Sequence, residues 1–331
     1  MHAIGTILRI KGLSVSFLVG RKRIDVLDNV NLELRKGEVL SLVGESGSGK
    51  SVLGISIIRL IPSNTSISGE IIYKGKNLLD LDKDSMRKIR GREIAWVPQN
   101  PDTMLNPTIR IGDQIGEVLV EHYGFTRKEA WETAIRILED LGVNPPDERA
   151  KNYPHQLSGG MKQRALLAMG IAGKPNVLIV DEPTKGLDPI MKEILLESLK
   201  RIKNMKDSPA ILLITHDLEF AEKLADTVAV MYCGQIIEVT EARRFFNSPL
   251  HPYSKLLLRA LPSRGLIPIP GKHPNIAKPP SGCRFRERCP YSKEKCMNEP
   301  LMFMLDGNKV KCWLYEHIRN SSDTRVLEDI A

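Results

Sequence analysis

The sequence of 331 residues is long enough for one large domain with a smaller extension, or for two domains of modest size. Hydrophobic residues make up 42% and charged residues 27%, which excludes a disordered chain. The formal net charge of +8 is a small excess of the kind that most often serves solubility. No run approaches the roughly 20 apolar residues of a membrane span, and the first residues lack the pattern of a signal peptide. We therefore expect a protein that stays inside the cell.

The order of the predicted elements is typical of an α/β protein. Residues 1–40 alternate apolar and polar positions, as an antiparallel sheet does, and the apolar run VLSLV then indicates a buried parallel strand. Short strands around a charged helix follow at 69–98, and apolar residues at three-to-four spacing predict helices from about 107 to 157. The runs NVLIVDEP and AILLITHD predict two more buried strands. This alternation predicts a mostly parallel sheet flanked by helices.

The composition changes after residue 262, where prolines become frequent and an extended linker is expected. Four of the five cysteines lie beyond this linker. We therefore expect a main domain at 1–262, containing a helical subdomain at about 100–160, and a C-terminal extension at 263–331.

A glycine-rich segment between the first buried strand and the next helix predicts a phosphate-binding loop. It reads Gly44-Glu45-Ser46-Gly47-Ser48-Gly49-Lys50-Ser51 and is followed by Val52. Its glycines allow successive backbone N–H groups to surround phosphates at the positive end of the helix. We expect Lys50 to reach the β- and γ-phosphates of ATP and the Ser51 hydroxyl to bind Mg²⁺.

Two acidic residues end the second buried strand. An aspartate in this place, Asp181, can hold Mg²⁺ beside a phosphate-binding loop, and the neighbouring Glu182 can act as general base on the attacking water. An apolar run that ends in two acids is weak on its own, because many strand ends face solvent. Together with the glycine-rich loop it predicts an ATP-hydrolysing site.

A third motif, Ser158-Gly159-Gly160, identifies a family. Ser158 is a suitable N-cap, and the helix after it offers its N-terminus to an anion. In this order, upstream of the acidic strand, the motif resembles the signature of ATP-binding-cassette (ABC) proteins over roughly residues 8–262. The resemblance implies a P-loop nucleotide-hydrolase fold with a mostly parallel core sheet, an antiparallel β subdomain and an inserted helical subdomain.

The resemblance also implies roles for four residues outside these motifs. Gln99, in VPQNP, matches a glutamine that contacts Mg²⁺ and senses the reaction centre. His216, in LLITHD, matches the histidine that contacts the γ-phosphate, and Asp188, in GLDP, matches a loop that crosses to a partner subunit. Phe17, in VSF, is the expected aromatic platform for adenine.

The partners are implied by the resemblance as well. Two such ATPase subunits pack head to tail, so that each ATP lies between the glycine-rich loop of one subunit and the Ser158 motif of the other. Closing and reopening of this dimer drives two transmembrane permease subunits on the cytoplasmic face of the cell membrane. In an importer, an extracytoplasmic solute-binding protein delivers the cargo. Whether the second ATPase is a copy of this chain or a sister subunit stays open.

Four cysteines, Cys283, Cys289, Cys296 and Cys312, form a candidate metal site. Four thiolates can bind tetrahedral zinc or a [4Fe–4S] cluster, and gaps of five, six and fifteen residues are wider than the tight pairs of most zinc sites. The tail resembles the C-terminal extension of the dipeptide/oligopeptide (nickel) importer branch, which implies a [4Fe–4S] cluster, with zinc as the alternative. Cys233 is expected to be a buried, unpartnered thiol.

These observations lead to one expected function and several alternatives. We expect an ATPase subunit that powers the uptake of di- or oligopeptides, with oligosaccharides as the nearest alternative cargo. A soluble ABC ATPase acting on nucleic acid or ribosomes is less favoured, because the chain has one cassette and no long insertion between Gln99 and Ser158. No nucleic-acid partner is expected. Met161 and Lys185-Gly186 depart from the family's commonest form without removing a group that hydrolysis needs.

Overall fold

The alternating pattern of the first residues forms the antiparallel sheet that it predicts. This computed structural model describes residues 5–320. Its strands are β1 Thr6–Val19, β2 Lys22–Arg35, β3 Val39–Val43, β4 Thr65–Tyr73, β5 Lys76–Asn77, β6 Ile94–Val97, β7 Val177–Asp181, β8 Ala210–Thr215, β9 Thr227–Tyr232, β10 Gln235–Glu241, β11 Phe303–Leu305 and β12 Asn308–Val310. The apolar side chains of β1 and β2 point to the core, and the polar ones are more exposed.

The helices lie between the strands and after β10. They are α1 Lys50–Ile57, α2 Lys83–Ile89, α3 Pro101–Met104, α4 Ile111–Tyr123, α5 Arg127–Asp140, α6 Pro146–Lys151, α7 Gly159–Ala172, α8 Pro189–Lys203, α9 Leu218–Leu224, α10 Ala242–Asn247 and α11 Pro252–Arg259. Their ends carry ordinary helix signals. For example, Thr126 and Glu129 form a reciprocal capping box at the start of α5, and Gly124 ends α4 in the left-handed conformation.

Two sheets are formed. The smaller sheet has the order β2-β1-β4-β5 and is antiparallel. The larger has the order β11-β12-β10-β9-β3-β8-β7-β6, in which β9, β3, β8, β7 and β6 run parallel. The strands β3, β7 and β8 are buried along their whole length, as continuous apolar runs require. The predicted α/β architecture, with a largely parallel core sheet and a separate antiparallel sheet, is therefore confirmed.

The hydrophobic core lies on both faces of the larger sheet. On one face, helices α4 to α8 pack against it, and on the other, α1 and the smaller sheet do so. The helices α3 to α6 occupy the segment where a helical subdomain was expected. The bounds of that subdomain, and the division of the chain near residue 262, stay predictions. Within residues 5–320, no helix has the length and apolar character to cross a bilayer.

The extension joins the core sheet instead of lying apart from it, which the sequence pattern does not indicate. The hairpin formed by β11 and β12 pairs with β10 through Val310 and Glu238, so two strands of the extension lengthen the larger sheet. Phe285, which lies between Cys283 and Cys289, packs against the rings of Tyr232 and Tyr253, and all three rings are buried. The extension and the nucleotide-binding region therefore share one part of the core.

Candidate nucleotide site and cysteine cavity

The glycine-rich loop connects β3 to α1 and approaches neighbouring backbone closely. At Gly44 an added Cβ would lie 2.2 Å from the carbonyl oxygen of Met231, so only glycine fits there without a shift of the loop. Gly49 stands at the N-cap of α1 with φ +106 and supplies no capping side chain. The first N–H groups of α1 are thus left for an anion, which is the arrangement that phosphate binding needs.

A substitution tests this close approach. We expect Gly44→Ala to weaken MgATP binding by about 10²-fold, because the loop must move away from Met231 and its N–H groups lose their alignment. Binding of a fluorescent ATP analogue is the measurement. Gly75→Ala is the matched control, since Gly75 has φ +78 outside the loop and no atom within 4 Å of the added Cβ. Equal affinity in both variants would contradict the assignment.

Lys50 is buried beneath the loop. Its ammonium donates to the carbonyl oxygens of Gly44 and Glu45, each at 2.9 Å. Burial lowers the pKa of Lys50, while the nearby carboxylates of Glu182, Asp181 and Glu45 oppose that shift. If Lys50 contacts phosphate as predicted, it must exchange these carbonyl partners for phosphate oxygens.

The two predicted magnesium ligands lie next to each other. The Ser51 hydroxyl donates to the Asp181 carboxylate at 3.0 Å, although the two residues are 130 positions apart. Burial raises the pKa of Asp181 to about 6, a shift that the bond from Ser51 opposes and the charge of Glu182 reinforces. An exposed hydroxyl beside a buried carboxylate supplies oxygen donors of the type that Mg²⁺ prefers, so the residues present fit the ion.

Of the three predicted catalytic residues, Glu182, His216 and Gln99, the first two contact each other. Nδ1 of His216 lies 2.6 Å from Oε2 of Glu182, and the backbone N–H of Glu182 donates to the Ile214 carbonyl at 2.8 Å. Glu182 adopts φ +46, a conformation that is rare for a residue with a side chain. The turn after β7 therefore directs the Glu182 carboxylate towards the end of β8, where His216 follows.

These groups line one open cavity of about 680 Å³. Most predicted nucleotide-site residues are among its lining: Gly44, Glu45, Ser46, Gly47, Gly49, Lys50, Ser51, Val52, Gln99, Glu182 and His216. Asp181 is not among the lining residues, but it accepts a hydrogen bond from Ser51, which is. Parallel strands bring these residues together, because the carboxyl ends of β3, β6, β7 and β8 meet at one edge of the sheet.

Four lining residues were missed from the sequence. They are Val26 on β2, Lys185 after β7, Leu257 on α11 and Ile276 in the proline-rich segment. Lys185 was noticed only as a departure from the family pattern. Nothing in the local sequence around Leu257 or Ile276 signals a contact with the loop, since both lie more than 200 positions away from it.

The remaining predicted residues do not line this cavity. Phe17 is half-buried on β1 opposite Ile24. Ser48 belongs to the glycine-rich loop but is fully buried. Ser158 caps α7, and Asp188 caps α8 by accepting from Met191 N–H at 2.8 Å. Gly159 and Gly160 follow Ser158 at the start of α7, and a Cβ on Gly160 would collide with the side chain of Met191. Their expected roles towards a nucleotide stay predictions.

The four cysteines of the extension line one small, mostly apolar cavity. Cys283, Cys289, Cys296 and Cys312 share it with His251 and Trp313, among others. Burial raises the pKa of Cys289 to about 11 and of Cys312 to about 12, and the neighbouring thiols add to both shifts. All five cysteines, including the buried Cys233, are free thiols. No disulfide therefore accounts for the convergence of the four.

The cavity does not have the geometry of a site for a single metal ion. Over the part of the chain that the structure describes, no group of three or more His, Cys, Asp or Glu side chains is placed as a metal ion would require. A zinc ion needs all four sulfurs about 2.3 Å from one point. Neither the predicted [4Fe–4S] cluster nor the zinc alternative is therefore supported by the described residues.

The segment His251-Pro252-Tyr253 connects this cavity to the nucleotide site. Glu238 on β10, fully buried, accepts the N–H groups of Leu250 and His251 at 2.9 and 2.7 Å. His251 lines the cysteine cavity, and its Nδ1 accepts from the Tyr253 N–H at 3.0 Å. The Tyr253 hydroxyl accepts from the Glu45 N–H in the glycine-rich loop at 3.0 Å. This connection gives the segment a structural role that its sequence alone does not reveal.

Comparisons with known proteins match both parts of the chain. Residues 27–185 match the family model described as ABC transporter, and residues 237–296 match the model described as oligopeptide/dipeptide transporter, C-terminal region. The oligopeptide transport ATP-binding protein OppD of Bacillus subtilis (strain 168) is 40% identical over 95% of this chain and 90% of its own length. The dipeptide transport ATP-binding protein DppD of the same organism is 39% identical over 96% of this chain and 99% of its own length.

A solved structure has the same fold. The dimeric post-hydrolysis state of the ATP-binding cassette MJ0796, bound to ADP and phosphate, is 28% identical to this chain with a TM-score of 0.64. The match covers 71% of this chain and 99% of that one. The predicted cassette architecture is thereby confirmed for the larger part of the chain.

Proposed function

Because the chain belongs to the family of ABC transporter ATP-binding proteins, we propose that it is the ATP-hydrolysing subunit of an importer of di- or oligopeptides. Family members are ATPases, and this chain is one. The observation that carries the proposal is the single cavity in which Lys50, Glu182 and His216 converge beside the Ser51–Asp181 pair. The named relatives given above transport peptides, and they lend no support to the oligosaccharide alternative or to a role on nucleic acid.

Each residue of the cavity has a distinct part in the proposed hydrolysis. Lys50 leaves the carbonyls of Gly44 and Glu45 and neutralises the β- and γ-phosphates. Ser51 and Asp181 would hold Mg²⁺ together with Gln99, and the ion would supply charge neutralisation at the phosphates. Glu182 removes a proton from the attacking water.

His216 has two parts in this proposal. Through its Nδ1 it fixes the Glu182 carboxylate, at 2.6 Å. With its more exposed side it contacts the γ-phosphate, since more than half of its side chain is accessible.

The residues outside the cavity act, in this proposal, on a second ATPase subunit. Ser158, Gly159 and Gly160 would contact the γ-phosphate bound by the partner, through the N-terminus of α7. Asp188 would lie at the same interface, and Phe17 would stack on adenine. The dimeric state of the related cassette supports this arrangement. The two permease subunits, the solute-binding protein and a place on the cytoplasmic face of the membrane belong to the same proposal.

For the extension we propose a [4Fe–4S] cluster bound by Cys283, Cys289, Cys296 and Cys312. The support is that four free thiols line one cavity, since four cysteine thiolates are the ligands of such a cluster. When bound, the cluster would supply a cross-link among four segments of the extension. The cysteines bind it as thiolates, so binding would displace protons that burial now holds on Cys289 and Cys312.

The test of the transport function uses the chain in its own cell. An affinity tag on the chain is expected to recover two polytopic membrane proteins from solubilised membranes. Cells carrying the wild-type chain should take up radiolabelled di-, tri- and pentapeptides, and cells carrying only a Glu182→Gln chain should not. Uptake of a labelled oligosaccharide, but of no peptide, would overturn the cargo. Recovery of ribosomes or nucleic acid in place of membrane proteins would overturn the transporter role.

A further inference from the structure

Glu45, the second residue of the glycine-rich loop, is held at three points. Its carbonyl accepts from Lys50 at 2.9 Å, and its N–H donates to the Tyr253 hydroxyl at 3.0 Å. Its carboxylate forms a two-pronged ion pair with the Arg288 guanidinium, with nitrogen–oxygen distances of 2.8 and 3.1 Å. Two of the three contacts therefore come from residues outside the cassette motifs, and Arg288 belongs to the cysteine-rich extension.

Arg288 is itself fixed. Its side chain is buried, only 5% exposed, and lies against the rings of Tyr232 and Phe285. Its Nε donates to the Pro270 carbonyl at 2.9 Å, and its Nη1 also donates to the Tyr232 hydroxyl at 3.2 Å. These partners fix the orientation of the planar guanidinium, so that Nη1 and Nη2 face the two oxygens of the Glu45 carboxylate.

The charge of Glu45 matters because Glu45 is one of the residues that line the nucleotide cavity. An uncompensated carboxylate at this place would repel the phosphates of ATP. Lys50 cannot compensate it in the bound state, since Lys50 must turn to the phosphates and release the Glu45 carbonyl. His273 also faces Glu45, but at 3.8 Å and from a partly exposed position. Arg288 is thus the permanent cation for this carboxylate.

We propose that Arg288 is a positioning residue for nucleotide binding, which from the extension neutralises Glu45 and holds the glycine-rich loop in its phosphate-binding shape. This inference rests on the proposed ATPase site and adds a residue to it. It makes the extension part of the nucleotide site: the loop keeps its shape through Arg288 and Tyr253 after Lys50 has released it.

The test compares MgATP affinity and steady-state kinetics in four variants of the full chain. Arg288→Ala is expected to raise the Kd and KM for MgATP by about tenfold, with a smaller change in kcat, because a charge is left uncompensated at the cavity. Arg288→Lys should recover part of the affinity, since it keeps the charge but loses the fork. Arg286→Ala is the matched control, because the Arg286 side chain contacts Ser281 and Glu287 within the extension, and the variant should bind MgATP as the wild type does.

The fourth variant separates neutralisation of the Glu45 charge from damage to the fold. In Arg288→Ala combined with Glu45→Gln, the uncompensated charge is gone, and affinity should return to within about threefold of the wild type. If the double variant binds as poorly as Arg288→Ala, the charge argument is wrong and Arg288 only supports the fold. If Arg288→Ala binds as tightly as Arg286→Ala, the proposal is overturned. Failure of the wild-type chain to bind MgATP would instead overturn the proposed function.

Discussion

Glu182→Gln is expected to lower the rate of ATP hydrolysis by roughly 10²–10⁴-fold while leaving MgATP binding within a few-fold of the wild type. An amide cannot accept the proton of the attacking water, so the chemical step loses its base. The side chain keeps its size and can still hydrogen bond to His216, which lies 2.6 Å from the carboxylate. The proposed contacts of Lys50 with phosphate and of Ser51 with Mg²⁺ are left unchanged by this substitution.

The measurements are steady-state hydrolysis and equilibrium binding of MgATP. The variant should also accumulate as an ATP-bound dimer with its partner ATPase subunit, because the bridge across the interface is no longer removed by hydrolysis. Glu193→Gln is the matched control, since Glu193 is an exposed glutamate on α8 paired with Lys223 at 2.7 Å, outside the cavity. Hydrolysis at the wild-type rate in Glu182→Gln would show that another group is the base. Loss of both binding and hydrolysis would show that Glu182 acts in binding.

The double substitution of Cys289 and Cys312 by serine is expected to abolish the bound cluster. Protein purified without oxygen should carry four irons and four sulfides per chain and absorb broadly near ~400 nm, and the double variant should carry neither. Cys233→Ala is the matched control, because Cys233 is a buried free thiol that does not line the cysteine cavity. Its iron content should equal that of the wild type.

Thermal unfolding gives a second readout of the same change. Loss of a cross-link among four chain segments should lower the Tm of the double variant by about 5–15 °C relative to Cys233→Ala. One zinc per wild-type chain would contradict the cluster and restore the zinc alternative. Wild-type protein without any metal would mean that the four thiols are packed together for another reason.

The nucleotide-site residues could largely be predicted because their geometry depends on short, contiguous segments. The glycine-rich loop lies between a buried strand and a helix, and the conformations of its glycines are local properties. Asp181 ends β7 and His216 follows β8, and because β8 pairs with β3 and β7 pairs with β8 in parallel, any fold with that sheet brings the two residues to the same edge. The apolar run that forms each strand, and the polar residue at its carboxyl end, can both be recognised in the sequence.

The role of the extension could not be predicted in the same way. Arg288 and Glu45 are 243 positions apart, and Tyr253 and Glu45 are 208 apart. No sequence pattern indicates either pair, because an ion pair or a hydrogen bond between distant segments produces no periodic spacing of residue types along the chain. The strands β11 and β12 have three residues each, too few to show alternation, and only their pairing with β10 makes them part of the sheet.

The sequence by itself determined the class of fold, the loop that surrounds phosphates, the acidic pair beside it and the grouping of four cysteines in the tail. Each of these depends on the identity and spacing of residues within a few turns of backbone, where sterics and burial act locally. Only the tertiary structure decided that the cysteine-rich tail packs against the nucleotide site through Phe285, Tyr253 and Arg288. That arrangement depends on which buried surfaces meet when the sheet and its extension pack together, and packing between remote segments is a property of the whole fold.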